Sequence, residues 1–219
     1  MCIFDTIFLV NFMGITSIFL IRHSEQLKIK SLLNSSENSQ IANEKIILSV
    51  KGEKKAEELS NIAELSNLDS VWCSNYVRAL ATAKYIAERN NLSIQISTDL
   101  NERKLGNLDS LAKLKNKYAY PFTTEQLLDE NLKNENGENR IEVNNRMTSF
   151  INSLLNSNEG SRIAVVSHGA AIKFLLMNWC SLNETFELVY QNEVLNIASP
   201  SVIKLEFNKD SLLNLSQLY

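Results

Sequence analysis

Two histidines occur in the 219 residues, and each follows a short apolar run: Ser17-Ile18-Phe19-Leu20-Ile21 leads into Arg22-His23-Ser24, and Arg162-Ile163-Ala164-Val165-Val166 leads into Ser167-His168-Gly169. Imidazole is the side chain whose ordinary charge change falls near neutral pH, which suits it to nucleophilic and acid–base work. Such runs read as buried strands, and the loops at strand ends are where α/β proteins place their chemistry. Two arginines stand close by. Arg22 precedes His23 directly, and Arg78 opens a helical pattern after Cys73-Ser74-Asn75-Tyr76-Val77, beside backbone N–H groups suited to an anion. A pair of guanidinium groups can chelate a phosphoryl group. A carboxylate, Glu102, follows another strand-like run and precedes Gly106, a candidate for a tight turn. Gly169 and the residues after it add free N–H groups at a further helix start. Each of these features is common alone; their order along the chain is not.

The elements that must position these residues are legible from periodicity. Thr16 to Ile21 reads as a buried strand ended by Arg22, Ser70 to Ser74 as a second, Ser93 to Ser97 as a third and Arg162 to Ser167 as a fourth. Between them, residues 49–66 place Ala56, Leu59, Ile62, Ala63 and Leu65 near helical spacing. Tyr76 to Arg89 reads as a helix turning Ala79, Leu80, Ala83, Ile86 and Ala87 inward. Ile141 to Leu155 and Ala170 to Trp179 read as two more helices, and Val202 to Phe207 as a strand near a sheet edge. Residues 24–48 mix Ser, Asn, Lys and Glu with no sustained period. This alternation predicts an α/β three-layer sandwich, a mainly parallel central sheet flanked by helices. The less regular stretch at about 107–136 predicts a small helical cap insertion within a single domain over 13–219.

Composition narrows the function classes. With 22 basic and 25 acidic side chains the formal charge is -3 and no basic block exists, which argues against nucleic-acid and membrane-surface partners. Cys2, Cys73 and Cys180 are widely spaced without close Cys or His partners, so neither a disulfide framework nor a zinc site is expected, and a cytoplasmic location follows as the default. No metal and no other cofactor is expected. Residues 1–21 are apolar but interrupted by Asp5, Asn11 and Gly14, and they lack a basic leader and a small-residue cleavage site, so neither a signal peptide nor a membrane span is expected. Met13 is a candidate start, leaving 1–12 as an N-terminal extension. That extension, or a hydrophobic edge strand, would be the contact for a homodimer.

Five segments carry a resemblance: IRHS at 21–24, CSNYVRALATA at 73–83, LNERKLG at 100–106, NGEN at 136–139 and VVSHGAAI at 165–172. Together they resemble the histidine phosphatase superfamily, the phosphoglycerate mutase-like proteins, over about Thr16 to Phe207. The resemblance implies that His23 is the nucleophile that accepts a phosphoryl group, that Arg22, Arg78, His168 and Gly169 bind its oxygens, and that Glu102 is the general acid and base. It implies a metal-independent phosphomonoester hydrolase acting on a small phosphorylated substrate. The superfamily's cofactor-dependent mutases share LNER but carry a longer insertion after it. Only about thirty residues separate Gly106 from Gly137 here, which resembles the phosphatase branch. Mutase-type transfer and a non-catalytic phosphate-ester-binding module are the competing readings.

The chain departs from the family at two positions. Ser24 stands where glycine is most frequent, and its side chain is expected to crowd the phosphate or hydrogen-bond to it. Asn75 stands in a loop that often holds proline, which predicts a less rigid path to Arg78. Glu138 is expected to cap the helix at Ile141 or to orient an arginine. Ser167 reads as a turn residue, and Trp72, Trp179 and the aromatics of 118–122 as packing. Lys104 and Lys113 read as solvated.

Overall fold

A computed structural model describes residues 14–28, 39–107 and 123–219. Its centre is a six-stranded sheet in the order β3-β2-β4-β1-β8-β9. The strands β1 (Thr16–Arg22), β2 (Ser70–Cys73), β3 (Ile94–Ile96) and β4 (Arg162–Ser167) run parallel, while β8 (Ser201–Asn208) lies antiparallel to β1 and β9 (Ser211–Gln217) antiparallel to β8. Strand β1 is central because it is apolar on both faces. Ile18 and Leu20 point into a core shared with Ile163, Val165, Ile203 and Leu205, whereas Phe19 and Ile21 point into another with Val71, Ala164, Val166 and Val202. Helices α2 (Val50–Ser60) and α3 (Val77–Arg89) cover the second face, and α5 (Arg140–Ser157) and α6 (Gly169–Leu176) the first. The three-layer α/β architecture is as expected from the sequence.

Differences lie at the margins. Helix α2 stops at Ser60 and a 3-10 turn follows at Ala63–Leu65, so Ala63 is exposed rather than inward, although Ala56, Leu59 and Leu65 are buried. Residues 24–48 contain a helix the periodicity does not reveal, α1 (Ser39–Lys45), whose apolar Ile41 is exposed. It is held by polar contacts: Gln40 Nε2 donates to the Tyr76 hydroxyl at 2.6 Å, and the Asn43 carbonyl accepts from Arg78. Between α6 and β8 a small antiparallel sheet of β5 (Ser181–Leu182), β6 (Leu188–Tyr190) and β7 (Glu193–Leu195) forms. The expected strand at 202–207 is β8, and the edge beyond it is β9.

The expected insertion is pinched at its base. Gly106 adopts φ +78, and a Cβ there would lie 2.4 Å from the Glu135 carbonyl oxygen and 2.5 Å from the Gly137 nitrogen, so only glycine lets the two ends meet. Asn107 N–H donates to that Glu135 oxygen, and the Asn134 side-chain amide donates to the Leu105 carbonyl. The described part of the insertion holds a short helix, α4 (Thr123–Leu128), against which Arg103 is buried by bonds to Gln126 and Thr123. The extension at 1–12, Lys113 and the aromatics of 118–122 lie outside the described residues. Trp72 packs edge-on against Phe150 and Trp179 against Phe207. Among the described residues no helix is long and apolar enough to cross a membrane.

Candidate active site

The parallel pairing of β1 with β4 sets Arg22 opposite Ser167, so the chain enters the two histidines side by side, and His23 N–H donates to the Ser167 carbonyl at 2.9 Å. The rings stand 5.0 Å apart, His23 being 4 % exposed and His168 fully buried. His23 Nδ1–H donates to the Ser24 carbonyl at 2.7 Å, which leaves the lone pair on Nε2. That nitrogen accepts from Arg78 Nε–H at 3.1 Å. Burial first, and then Arg78, hold the His23 pKa well below the usual imidazole range, so the ring is neutral at pH 7.

Arg78 reaches His23 from the first turn of α3, as the sequence predicts, and is itself buried. Asn75 gives this loop a tie of its own. Its N–H donates to the Asn101 side-chain oxygen at 3.3 Å, a bond proline has no N–H to make. Arg22 approaches from the other side, donating to the Ile197 carbonyl at 2.6 Å while its buried Nε has no partner among the described residues. Its guanidinium lies against the start of α6, where a Cβ on Gly169 would come within 2.9 Å of the guanidinium carbon. A side chain at 169 would therefore push the Arg22 guanidinium from this position. Both arginines have their pKa values lowered by burial, with Glu102 opposing the shift.

Glu102 is placed by two strand ends. Ser167, more than a turn residue, donates its hydroxyl to the Leu100 carbonyl at 2.8 Å and anchors the loop. The Glu102 carboxylate then accepts from the backbone N–H groups of Ala170 and Ala171, at 3.2 and 3.0 Å, at the positive end of α6.

His168 sits behind His23. Its Nε2 meets Ser74 Oγ at 2.8 Å, and that hydroxyl also accepts from Tyr76 N–H and donates to the Asn101 oxygen at 2.8 Å. The one hydroxyl proton is thereby committed, so His168 Nε2 carries the ring proton and Nδ1, buried without a partner among the described residues, carries the lone pair. Burial, His23 and Arg78 keep its pKa well below the usual range.

Ser24 neither crowds the cleft nor faces it. Its hydroxyl donates to the Gly52 carbonyl at 2.7 Å and its N–H to Thr82 Oγ1 at 2.9 Å, which ties the His23 loop to α2 and α3. Glu138 orients an arginine, accepting from Arg146 Nε and Nη2 at 2.9 and 3.0 Å. The cap of α5 is instead Asn139, in a capping box with Glu142. Lys104 is exposed and outside the cleft lining.

Arg22, His23, Arg78, Glu102 and Gly169 line a cleft of about 440 Å³ with Glu25, Gln26, Lys28, Asn43, Arg103 and Lys173, whereas the buried His168 is not part of its lining. Sequence reasoning passed over Ser74 as the partner of His168, over Asn101 as the acceptor for Ser74, over Lys173, and over Ser199, whose hydroxyl donates to the His23 carbonyl at 2.7 Å. Ser199 and Ile197 arrive on the segment leading into β8 and carry no local signal. Among the described residues no group of three or more His, Cys, Asp or Glu is placed to hold a metal ion.

The sequence pattern of the histidine phosphatase superfamily (branch 1) matches residues 18–215. The chain belongs to this superfamily. It is similar to the "Probable phosphoglycerate mutase GpmB" of Escherichia fergusonii, with 27% identity over 167 residues, 73% of this chain and 72% of that protein. The fold is that of a mycobacterial glucosyl-3-phosphoglycerate phosphatase, with a TM-score of 0.67 and 16% identity over 93% of this chain and 97% of that one. It is equally that of a phosphoglycerate mutase from Bacillus anthracis, with a TM-score of 0.67 and 16% identity over 94% and 93% of the two chains. A phosphatase and a mutase thus share this fold.

Proposed function

We propose that the protein is a metal-independent phosphomonoester hydrolase that works through a phosphohistidine on His23. The observation that carries this reading is the ring of His23, neutral, locked by the Ser24 carbonyl with its nucleophilic Nε2 turned to Arg78 in an arginine-lined cleft. A bound ester would take the Arg78 donor from Nε2 onto its own oxygens, freeing the lone pair for in-line attack on phosphorus. The N–P bond forms as the P–O bond to the alcohol breaks, and Glu102, as general acid, delivers the proton that the leaving oxygen takes up. Arg22 and Arg78 face the charge that accumulates on the phosphoryl oxygens. Water then attacks the phosphohistidine, Glu102 takes its proton, and phosphate leaves with the Nε2 lone pair restored.

The short insertion between Gly106 and Gly137 supports hydrolysis over mutase-type transfer, since a mutase must hold its intermediate against water. The mutase reading is favoured by the Escherichia fergusonii relative's name. Small phosphorylated metabolites are the substrate class we infer. A cytoplasmic setting is supported by the free thiols of Cys73 and Cys180.

Hydrolysis of p-nitrophenyl phosphate in excess EDTA, compared between the native protein and His23→Ala, tests the reading. Turnover that survives EDTA and is lost in the variant is expected. Loss of turnover in EDTA would overturn metal independence, and phosphoglycerate isomerisation far faster than hydrolysis would replace the hydrolase by a mutase. Tight ester binding without turnover would leave only a binding module.

A further inference from the structure

Lys173 has no part in the scheme above, yet it lines the same cleft as Arg22 and His23. It lies on α6 with Gly169 and Ala170, and spacings of four and three residues put all three on one wall. The other cations of the inner wall are engaged. Arg22 and Arg78 donate to main-chain carbonyls and Arg103 to Gln126. Among the described residues no ion pair or hydrogen bond reaches the Lys173 ammonium, which is half-buried. Its charged neighbours are Arg22, of like sign, and Glu187, whose carboxylate is already hydrogen-bonded by Asn183 and Thr185. Lys28, with no ion pair among the described residues, stands exposed at the rim.

An unpaired cation beside a second cation, half out of water, destabilises the empty protein, and a methionine would fill the same space without that cost. An anion in the cleft would relieve it. The transferred phosphoryl group already has Arg22 and Arg78, and Lys173 is displaced from Gly169 by four residues, roughly 6 Å along the helix axis. We propose that Lys173 binds a second anionic group of the substrate, a carboxylate or a further phosphoryl group, one turn of α6 away from the phosphoryl group that is transferred. The assignment rests on the phosphatase reading of the cleft and narrows its substrates to phosphate monoesters bearing a nearby acid.

Two matched pairs test it: phosphoglycolate against 2-hydroxyethyl phosphate, for a carboxylate, and propane-1,3-diol bisphosphate against its monophosphate, for a second phosphoryl group. For each pair the ratio of kcat/KM is measured in the native protein, Lys173→Met and Lys173→Arg, with p-nitrophenyl phosphate as a common reference. The same esters are titrated calorimetrically into His23→Ala, so that selectivity is read without turnover. The native protein should favour the acidic member of one pair by about 10- to 100-fold, the range of a charge-assisted contact. Lys173→Met should bring that ratio towards one in both readouts, with thermal stability equal or higher, and Lys173→Arg should keep most of it. No preference in either pair, a preference that survives Lys173→Met, or an equal loss on p-nitrophenyl phosphate would overturn the assignment. In the last case Lys173 serves the transferred group. Selectivity in binding without hydrolysis of any ester would sink the phosphatase reading while leaving the Lys173 assignment standing.

Discussion

His23 and His168 end adjacent parallel strands at matching heights, and their neighbours turn the two rings to opposite uses. His23 is gripped at Nδ1 by its own chain, through the Ser24 carbonyl, and offers Nε2 to the cleft. His168 is gripped at Nε2 by Ser74 and has an unpartnered Nδ1. The partner in the first case is one residue away, and in the second it is 94 residues away. A strand-end histidine is therefore a position, and the nitrogen that is tied down decides its role.

The sharpest way to break the comparison is to delete each ring. If only His23 bonds to phosphorus, His23→Ala should lower kcat on p-nitrophenyl phosphate by on the order of 10⁴-fold or more, as loss of a nucleophile does. His168→Ala should cost less, about 10²-fold, the scale of a misplaced reacting group, because His168 packs behind His23 and has its N–H spent on Ser74. Equal losses, or a phosphoenzyme that still forms in His23→Ala, would erase the distinction. A finer cut is Ser74→Ala, which leaves the His168 Nε2–H without an acceptor and lets the ring proton move to Nδ1. About tenfold in kcat with little change in KM is expected, and an unchanged pH–rate profile would show that Ser74 does not set the tautomer.

What the rings share can be read from stability against pH. Both pKa values are lowered in the folded protein, so the unfolded chain takes up two protons that the native state refuses. Their stabilising contribution is complete above the unfolded pKa of about 6.5 and is lost as pH falls below it, with a slope approaching about 2.7 kcal/mol per pH unit. Glu138 and Glu142, lowered from the ordinary carboxylate range, add losses only at more acidic pH. Urea midpoints between pH 7.5 and 5.0 should fall in the native protein and fall half as steeply in His168→Gln. A flat profile would contradict the burial of both rings. The smallest effect belongs to Ser24→Gly, which removes the hydroxyl bond to Gly52 at about 1 kcal/mol of stability and shifts kcat less than threefold. A large gain in kcat would mean the hydroxymethyl group does crowd the phosphate.

The readable parts of the chain share one property: their signals are local. The run at 162–167 and the inward alanines of α3 declare strand and helix because burial imposes period on neighbouring residues. Helix α1 has no such period, since it is held by Tyr76 and Arg78 rather than by an apolar face. Ser24 carries a misleading local signal for a related reason. Its place beside the nucleophile suggests the phosphate as its partner, whereas the backbone turns it toward Gly52.

The sequence alone determined which residue types could meet: two histidines at the ends of strands buried on both faces, two arginines, and a carboxylate before a glycine that a left-handed turn requires. Those follow from composition and spacing, because alternation and helical period tell a chain where its strands end. Only the tertiary structure decided which nitrogen of each ring is tied down, that Glu102 leans on the first N–H groups of α6, and that Lys173 stands in the same wall without an ion pair among the described residues. Those depend on contacts between residues dozens of positions apart, set by the register of β1 on β4 and the path of the segment into β8, and no local pattern encodes them.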